Sequence, residues 1–206
     1  MPRRSALLPV VALVAVAAVR LGAGSNNAGV PGPERLTAEE RTAVRKLTEQ
    51  ALKARDLYSG KVYLTRIDVF ADGGSGERHA IAISYRYEGD LAILTHIDLG
   101  TRKVTAVEQV PHLPTSLAPE ELVEAEKLAR ANREVARALA RYGPDARIEV
   151  DAEIAITAVP DAPEYHHRVV RLFFRRGRDY LLYVPNVNVD LTTGTVRVRP
   201  AGKGHD

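Results

Sequence analysis

The sequence contains no cysteine, and this absence excludes several kinds of chemistry. A chain without cysteine forms no disulfides, so its stability has to come from its hydrophobic cores. Thiolate catalysis, thiolate metal sites and the cysteine-linked lipoprotein anchor are excluded as well. The sequence also lacks a G-x-S-x-G elbow and a glycine-rich phosphate loop before a helix. Neither a serine hydrolase nor a phosphate-loop enzyme is therefore indicated.

A hydrophobic run long enough to span a bilayer is also absent. The longest run, residues 6–19, is shorter than the roughly 20 apolar residues that a spanning helix needs. Arg3 and Arg4 precede this run and small residues follow it at 22–25, which is the order of an export signal. We predict that residues 1–25 are a bacterial-type signal that is removed, leaving a secreted or extracytoplasmic protein without a stable membrane span. The twin-arginine route stays open beside the general one, and an uncleaved anchor is the alternative.

Outside the N-terminal 25 residues, the sequence has no excess of positive or negative charge. The formal net charge of +3 comes from Arg3, Arg4 and Arg20, and without them 26 basic residues face 26 acidic ones. A strong electrostatic footprint for nucleic acid or for a membrane surface is therefore not expected.

The sequence does contain a regular succession of helix and strand signals. After a flexible linker at residues 26–35, Thr37 and Glu40 form a capping box that predicts a helix over about residues 38–55. Alternating apolar residues then predict four strands as far as residue 110, joined by turns rich in glycine and aspartate.

The hairpin that begins at His79 returns later in the chain. His79, Tyr85 and Gly89 align with His167, Phe173 and Gly177 at an offset of 88, and Asp98 aligns with Asp190 at an offset of 92. The change of offset indicates that four residues have entered the second copy. We interpret both aspartates as turn formers.

The second copy follows a proline-rich boundary at residues 111–114, where neither a helix nor a central strand can continue. Pro119 opens a second helix, which ends before Gly143. Further strands are predicted up to residue 199, and residues 200–206 are predicted to be a disordered tail.

These elements predict an α+β fold of two tandem units, residues 36–110 and 117–199. In each unit one helix packs on a four-stranded antiparallel sheet and closes a small core. The first unit opens with LTAEE at residues 36–40, and the second opens with LAPEE at 117–121 after the proline-rich link. This order resembles the two consecutive N-terminal, cystatin-like domains of copper amine oxidases. The resemblance covers about residues 35–199 and implies a cystatin-like fold for each unit.

The catalytic features of that family are absent. The resemblance implies a quinone cofactor formed from the Tyr of a Thr-x-x-Asn-Tyr motif, and copper bound by a His-x-His pair with a distant His. The sequence has no Asn-Tyr dipeptide and no His-x-His pair. We therefore carry over no cofactor, no copper site and no catalytic residue.

Two groups of histidines are candidates for chemistry. His166 and His167 are candidate ligands for Cu²⁺ or Zn²⁺, because imidazole suits both ions. Neighbouring residues on a strand point to opposite faces, so two solvated histidines at a loop edge are the simpler interpretation. His96 and Asp98 lie two residues apart on one strand face, which favours a structural hydrogen bond over a catalytic dyad.

Arg171, Arg175 and Arg176 are the candidate contact residues for an acidic protein partner, with a solvated sheet face as the simpler interpretation. Three functions stay open. The first, favoured because reactive motifs are absent, is an exported non-catalytic binding protein whose sheet edges accept a partner. The second is an accessory protein to a separately encoded copper amine oxidase-type enzyme. The third is a small-ligand carrier or enzyme that uses the cavity between helix and sheet.

Overall fold

A computed structural model describes residues 35–71, 76–143, 145–181 and 186–199. The predicted export signal, residues 26–34 of the predicted linker and the predicted tail lie outside the described residues. All described residues belong to one compact unit.

The described chain forms three helices, α1 (Ala38–Lys53), α2 (Pro119–Ala131) and α3 (Arg133–Ala140). Its strands are β1 (Val62–Ala71), β2 (Arg78–Arg86), β3 (Leu91–Asp98), β4 (Lys103–Pro111), β5 (Glu149–Ala155), β6 (Val169–Arg176), β7 (Asp179–Tyr180), β8 (Asn186–Asp190) and β9 (Thr195–Arg199). Two antiparallel sheets result, one in the order β1-β2-β3-β4 and one in the order β5-β6-β8-β9 with β7 paired to β6. The α+β class is therefore confirmed. In the described part of the chain, no helix is both long enough and apolar enough to cross a membrane.

The first helix begins at the predicted capping box. The Thr37 hydroxyl accepts from the Glu40 amide at 3.1 Å, and the Glu40 carboxylate accepts from the Thr37 amide at 2.8 Å. Val44 on α1 is fully buried against Ala80 and Ala82 of β2. These two small side chains leave room for the helix to pack closely on the sheet.

The second unit has two helices where a single one was predicted. Asn132 has an extended backbone, and its side-chain oxygen accepts from the amides of Glu134 and Val135 at 3.0 and 3.4 Å. It therefore ends α2 and caps α3. In an unbroken helix, the six residues from Ala129 to Val135 would leave the two side chains about 120° apart. The break returns Val135 to the core, where it and Ala129 are both fully buried.

The second sheet has five strands where four were predicted, because the return strand of its hairpin is divided. Arg175 pairs with Tyr180, but Leu172 pairs with Val187. Between these two pairs the return strand therefore contains four more residues than β6. These four residues account for the change of the repeat offset from 88 to 92. The division into β7 and β8 falls at this insertion.

Both predicted turn aspartates are confirmed. Asp98 accepts from the amides of Gly100 and Thr101 at 2.8 and 3.1 Å, and Asp190 accepts from those of Thr192 and Thr193 at 2.9 and 3.2 Å.

The strand register corrects one detail of the repeat. The amide after Asp98 donates to the carbonyl of Arg78, and the amide after Asp190 donates to the carbonyl of Arg168. Arg78 and Arg168 are therefore equivalent here, and the alignment of His79 with His167 is two residues out of register. Whether each half is an independent domain stays a prediction.

Candidate metal centre

Asp90, His112 and His166 converge from three separate segments. Asp90 ends the turn between β2 and β3, His112 directly follows β4, and His166 lies in the loop before β6. Their φ angles are 47°, 58° and 60°, in the left-handed region that side chains other than glycine rarely adopt. The His112 amide also donates to the Asp90 carbonyl at 2.8 Å, which holds two of the segments together. Such uncommon backbone at three converging residues is typical of ligand sites.

The side chains of these three residues, which we call the Asp90 cluster, meet through nitrogen and oxygen atoms that suit a metal ion. The Asp90 Oδ2 atom lies 2.9 Å from His112 Nδ1 and 3.4 Å from His166 Nδ1. One ligand atom from each residue lies within 4.8 Å of the other two. The two imidazole rings are stacked, with their centroids 3.7 Å apart and their planes inclined by 27°.

Two tyrosines hold the Asp90 cluster in place. The Tyr85 hydroxyl donates to Asp90 Oδ1 at 2.8 Å, and leaves Oδ2 to the imidazoles. Burial, followed by the hydrogen bond to Asp90, raises the pKa of Tyr85 well above its usual range, so this hydroxyl remains a donor. The Tyr165 ring lies against His166 with a centroid distance of 3.8 Å. The carboxylate and one imidazole are therefore held in fixed orientations.

A cleft of about 150 Å³ borders all three members of the Asp90 cluster. Its other walls are mainly apolar and include Leu113, Pro114, Ile154 and Ile156. A site in which a few polar groups converge beside apolar walls is typical of ligand pockets.

His167 does not join its neighbour His166. Its Nδ1 atom lies 2.7 Å from Asp190 Oδ2, and Asp190 is buried. The two neighbouring histidines thus contact different carboxylates, His166 that of Asp90 and His167 that of Asp190. Of the two sequence candidates, His166 is the one that the fold brings into a group of three side chains that could hold a metal ion.

Directly beside the cluster, a buried ion pair of the second half contacts the end of the first hairpin. Arg168 donates to Glu121 through Nε at 3.0 Å and through Nη2 at 2.9 Å, and both side chains are buried. Glu121 also accepts from the Tyr87 hydroxyl at 2.7 Å and from the Ala118 amide at 2.8 Å. Burial, followed by the charge of Glu121, raises the pKa of Tyr87 far above its usual range, so this hydroxyl also remains a donor. The Arg168 guanidinium lies over the Tyr85 ring, 4.3 Å from its centroid.

These contacts position the Asp90 cluster. Tyr85 and Tyr87 belong to the end of the first hairpin, whereas Glu121 and Arg168 belong to α2 and to the residue before β6. Because Arg168 follows His166 by two residues, its contact with Tyr85 and the hydrogen bond from Tyr87 to Glu121 place the histidine loop against the end of the first hairpin.

The predicted pairing of His96 with Asp98 is wrong. His96 Nε2 lies 3.1 Å from Glu108 on the neighbouring strand, and Asp98 Oδ1 caps its own turn. The cross-strand register brings Glu108 next to the histidine.

The three candidate contact arginines lie on β6. Arg171 pairs with Glu153 at 2.8 Å, and Arg175 pairs with Glu149 at 2.6 Å and with Asp151 at 3.1 Å. Hydrogen bonding to Asp151 raises the pKa of Arg175. Arg176 is exposed at the end of the strand. Acidic residues of β5 therefore neutralise two of the three charges, which reduces their attraction for an acidic partner.

Sequence reasoning missed Asp90 and His112 as members of a site. Asp90 has the pattern of a hairpin turn residue, and His112 lies in the proline-rich boundary. The available signal was the proline-flanked histidine between the two copies, because a boundary segment has to lie against both of them. Comparison with protein-family models gives no match for this chain, and no curated protein matches its sequence.

Proposed function

We propose that this protein is an exported, non-catalytic binding protein whose ligand is a divalent transition-metal ion held by Asp90, His112 and His166. The observation that carries the proposal is the convergence of one carboxylate and two imidazoles, from three separate segments, within 4.8 Å. Imidazole ligands suit Zn²⁺, Cu²⁺ and Ni²⁺, whereas Mg²⁺ and Ca²⁺ prefer oxygen ligands alone.

The distances within the cluster support this assignment. If an ion lies about 2.1 Å from each ligand atom, separations of 2.9 and 3.4 Å correspond to angles of about 90° and 110° at the metal. These angles belong to square or octahedral and to tetrahedral coordination. The hydrogen bond from Tyr85 to Asp90 supplies the outer support that metal-binding carboxylates usually have.

The non-catalytic part of the proposal rests on the missing cysteine, serine-elbow and quinone motifs, and export rests on the predicted signal. N-terminal sequencing of protein recovered from the producing cells tests export, and an intact Met1 in the membrane fraction would contradict it. The finer description of the fold, two tandem cystatin-like units, is also a proposal. It is supported by a set of contacts that recurs in both halves: Arg78 with Glu40 in the first, and Arg168 with Glu121 in the second.

Titration calorimetry of the purified protein with Zn²⁺ and Cu²⁺ tests the metal site. We expect His112→Ala and His166→Ala each to weaken binding by at least about 100-fold, because even the hydrogen-bond partners of metal ligands contribute about 10- to 100-fold. Tyr85→Phe should weaken binding by about 10-fold. His79→Ala is the matched control, since His79 is a partly exposed histidine outside the cluster. Native affinity in the His112→Ala/His166→Ala double variant would overturn the proposal.

An accessory role beside a separately encoded copper amine oxidase-type enzyme is the second candidate, because the same two imidazoles suit Cu²⁺. Recovery of such an enzyme with the copper-loaded protein would support this role. Loss of the complex in His112→Ala, but not in His79→Ala, would assign it to this site. Copper loading without any recovered enzyme would favour a simple metal-binding protein.

A further inference from the structure

We infer that the metal at the Asp90 cluster keeps one open position, and that this position takes a small carboxylate ligand with an apolar body. The inference rests on the proposed metal site and specifies what binds there beside the ion. It follows from the number of protein ligands, the walls of the adjacent cleft, its size and the local charge.

The number of ligands leaves a position open. In the described residues the cluster offers three donors, Asp90, His112 and His166, whereas a tetrahedral ion takes four. All three residues line the same cleft, so the remaining position faces a space that a ligand can enter. Metal sites of this kind are the ones that bind an exchangeable ligand, while purely structural sites are closed by four protein ligands.

The cleft walls select an apolar body. Leu113 and Pro114 follow His112 directly, and Ile154 and Ile156, from the end of β5 and just after it, line the same cleft. Ile156 is 68% exposed although it is large and apolar. A ligand seated in the cleft would cover part of this surface, and removing apolar surface from water favours binding.

The size of the cleft limits the ligand. Its volume is about 150 Å³, and an apolar cavity of about this volume in another protein holds benzene. A single ring or a short branched chain therefore fits beside the ion, whereas a folded peptide segment does not.

The charge of the site favours an anion. A divalent ion beside the single carboxylate of Asp90 leaves a net positive charge. Arg168 also borders the cleft, but its guanidinium is balanced by Glu121. An anionic oxygen donor compensates the remaining charge and completes the coordination, which a neutral amide of the same shape does not do.

The test uses the purified full chain loaded with Co²⁺, whose visible absorption reports its ligands. Appearance of the cobalt bands tests the metal site alone. Addition of benzoate tests the open position, with acetate and benzamide as the two controls. We expect benzoate to shift the bands and to bind at least about tenfold more tightly than acetate, because its ring lies in the apolar cleft. Benzamide should leave the bands unchanged.

A variant on the cleft rim separates the ligand from the metal. Ile156→Ser removes apolar surface from the rim at a position that is no metal ligand and adds no charge, so it should weaken benzoate binding by about threefold or more and leave cobalt affinity unchanged. Cobalt bands that do not respond to benzoate would overturn this inference while the metal site stands. Equal binding of benzoate and acetate would also overturn it, since the apolar body would then contribute nothing. Absence of the cobalt bands would overturn the metal site itself.

Discussion

The two halves of the molecule contain the same ion pair in different surroundings. In the first half, Arg78 donates to Glu40 at 2.5 Å and to the carbonyl of Arg35 at 2.7 Å. In the second half, Arg168 makes the same two kinds of contact, with Glu121 at 2.9 Å and with the carbonyl of Ser116 at 2.7 Å. Both glutamates occupy the third position of their helix. The side chains of the first pair are 28% and 22% exposed, whereas those of the second are 3% and 0% exposed.

The cause of this difference is the packing of one half on the other. Tyr85 of β2 and Tyr87, at the start of the following turn, cover the second ion pair, and Tyr87 adds a hydrogen bond to Glu121. A buried ion pair loses its hydration, so it is tolerated only when its hydrogen-bonding groups find partners. Glu121 and Arg168 find them in each other, in Tyr87 and in neighbouring backbone groups. The Arg168–Glu121 pair therefore lies buried where the two halves meet, whereas the Arg78–Glu40 pair stays near the surface.

The largest effect should follow from breaking the buried pair. We expect Arg168→Met to lower the free energy of unfolding by about 3–5 kcal/mol, because Glu121 is left as an uncompensated buried charge. Urea denaturation measures this change. The Arg168→Met/Glu121→Leu double variant should be more stable than Arg168→Met alone, since it buries no unpaired charge. If the single and double variants unfold at the same urea concentration, the pair is not what stabilises the interface.

A smaller effect should follow from removing the hydroxyl group of Tyr87, which covers the ion pair of the second half. Tyr87→Phe keeps the ring and deletes the donor to Glu121, which should lower the free energy of unfolding by about 2 kcal/mol. Tyr63→Phe is the matched control, because the Tyr63 ring packs edge-on against Tyr87 without a hydrogen bond to Glu121. Equal losses in both variants would show that the loss does not come from the hydrogen bond to Glu121.

The smallest effect should appear at the partly exposed pair of the first half. Glu40→Gln should lower the free energy of unfolding by at most about 1 kcal/mol at neutral pH. Hydrogen bonds from the Thr37 amide, and then from Arg78, hold the pKa of Glu40 below its ordinary value. Its contribution is therefore present above that ordinary value and is lost as the pH falls through the lowered pKa of the folded protein. The native protein and the variant should converge in stability in acid, and a difference that persists there would contradict this account.

Local patterns predicted much of the fold because they involve residues that are close in the chain. Thr37 and Glu40 lie one helical turn apart, and each supplies the other's missing hydrogen bond. The turn aspartates Asp98 and Asp190 bind amides two and three residues ahead. The division of the second helix was also readable, since the six-residue step from Ala129 to Val135 does not fit one continuous helix. An unbroken apolar stripe from Leu122 to Leu139 predicts one helix only if this step is ignored.

The candidate site could not be read in this way, because Asp90 and His112 meet only through the pairing of β3 with β4, and His166 joins them only when the two halves pack together. His112 is 22 residues from Asp90 in sequence, and His166 belongs to the other half of the chain. No local pattern relates them, since each follows turn and boundary signals of its own segment. The burial of Arg168 and Glu121 likewise depends on Tyr85 and Tyr87 from the end of the first hairpin. Sequence periodicity reports contacts along a helix or strand, whereas the contacts that form this site run between segments and depend on how those segments pack.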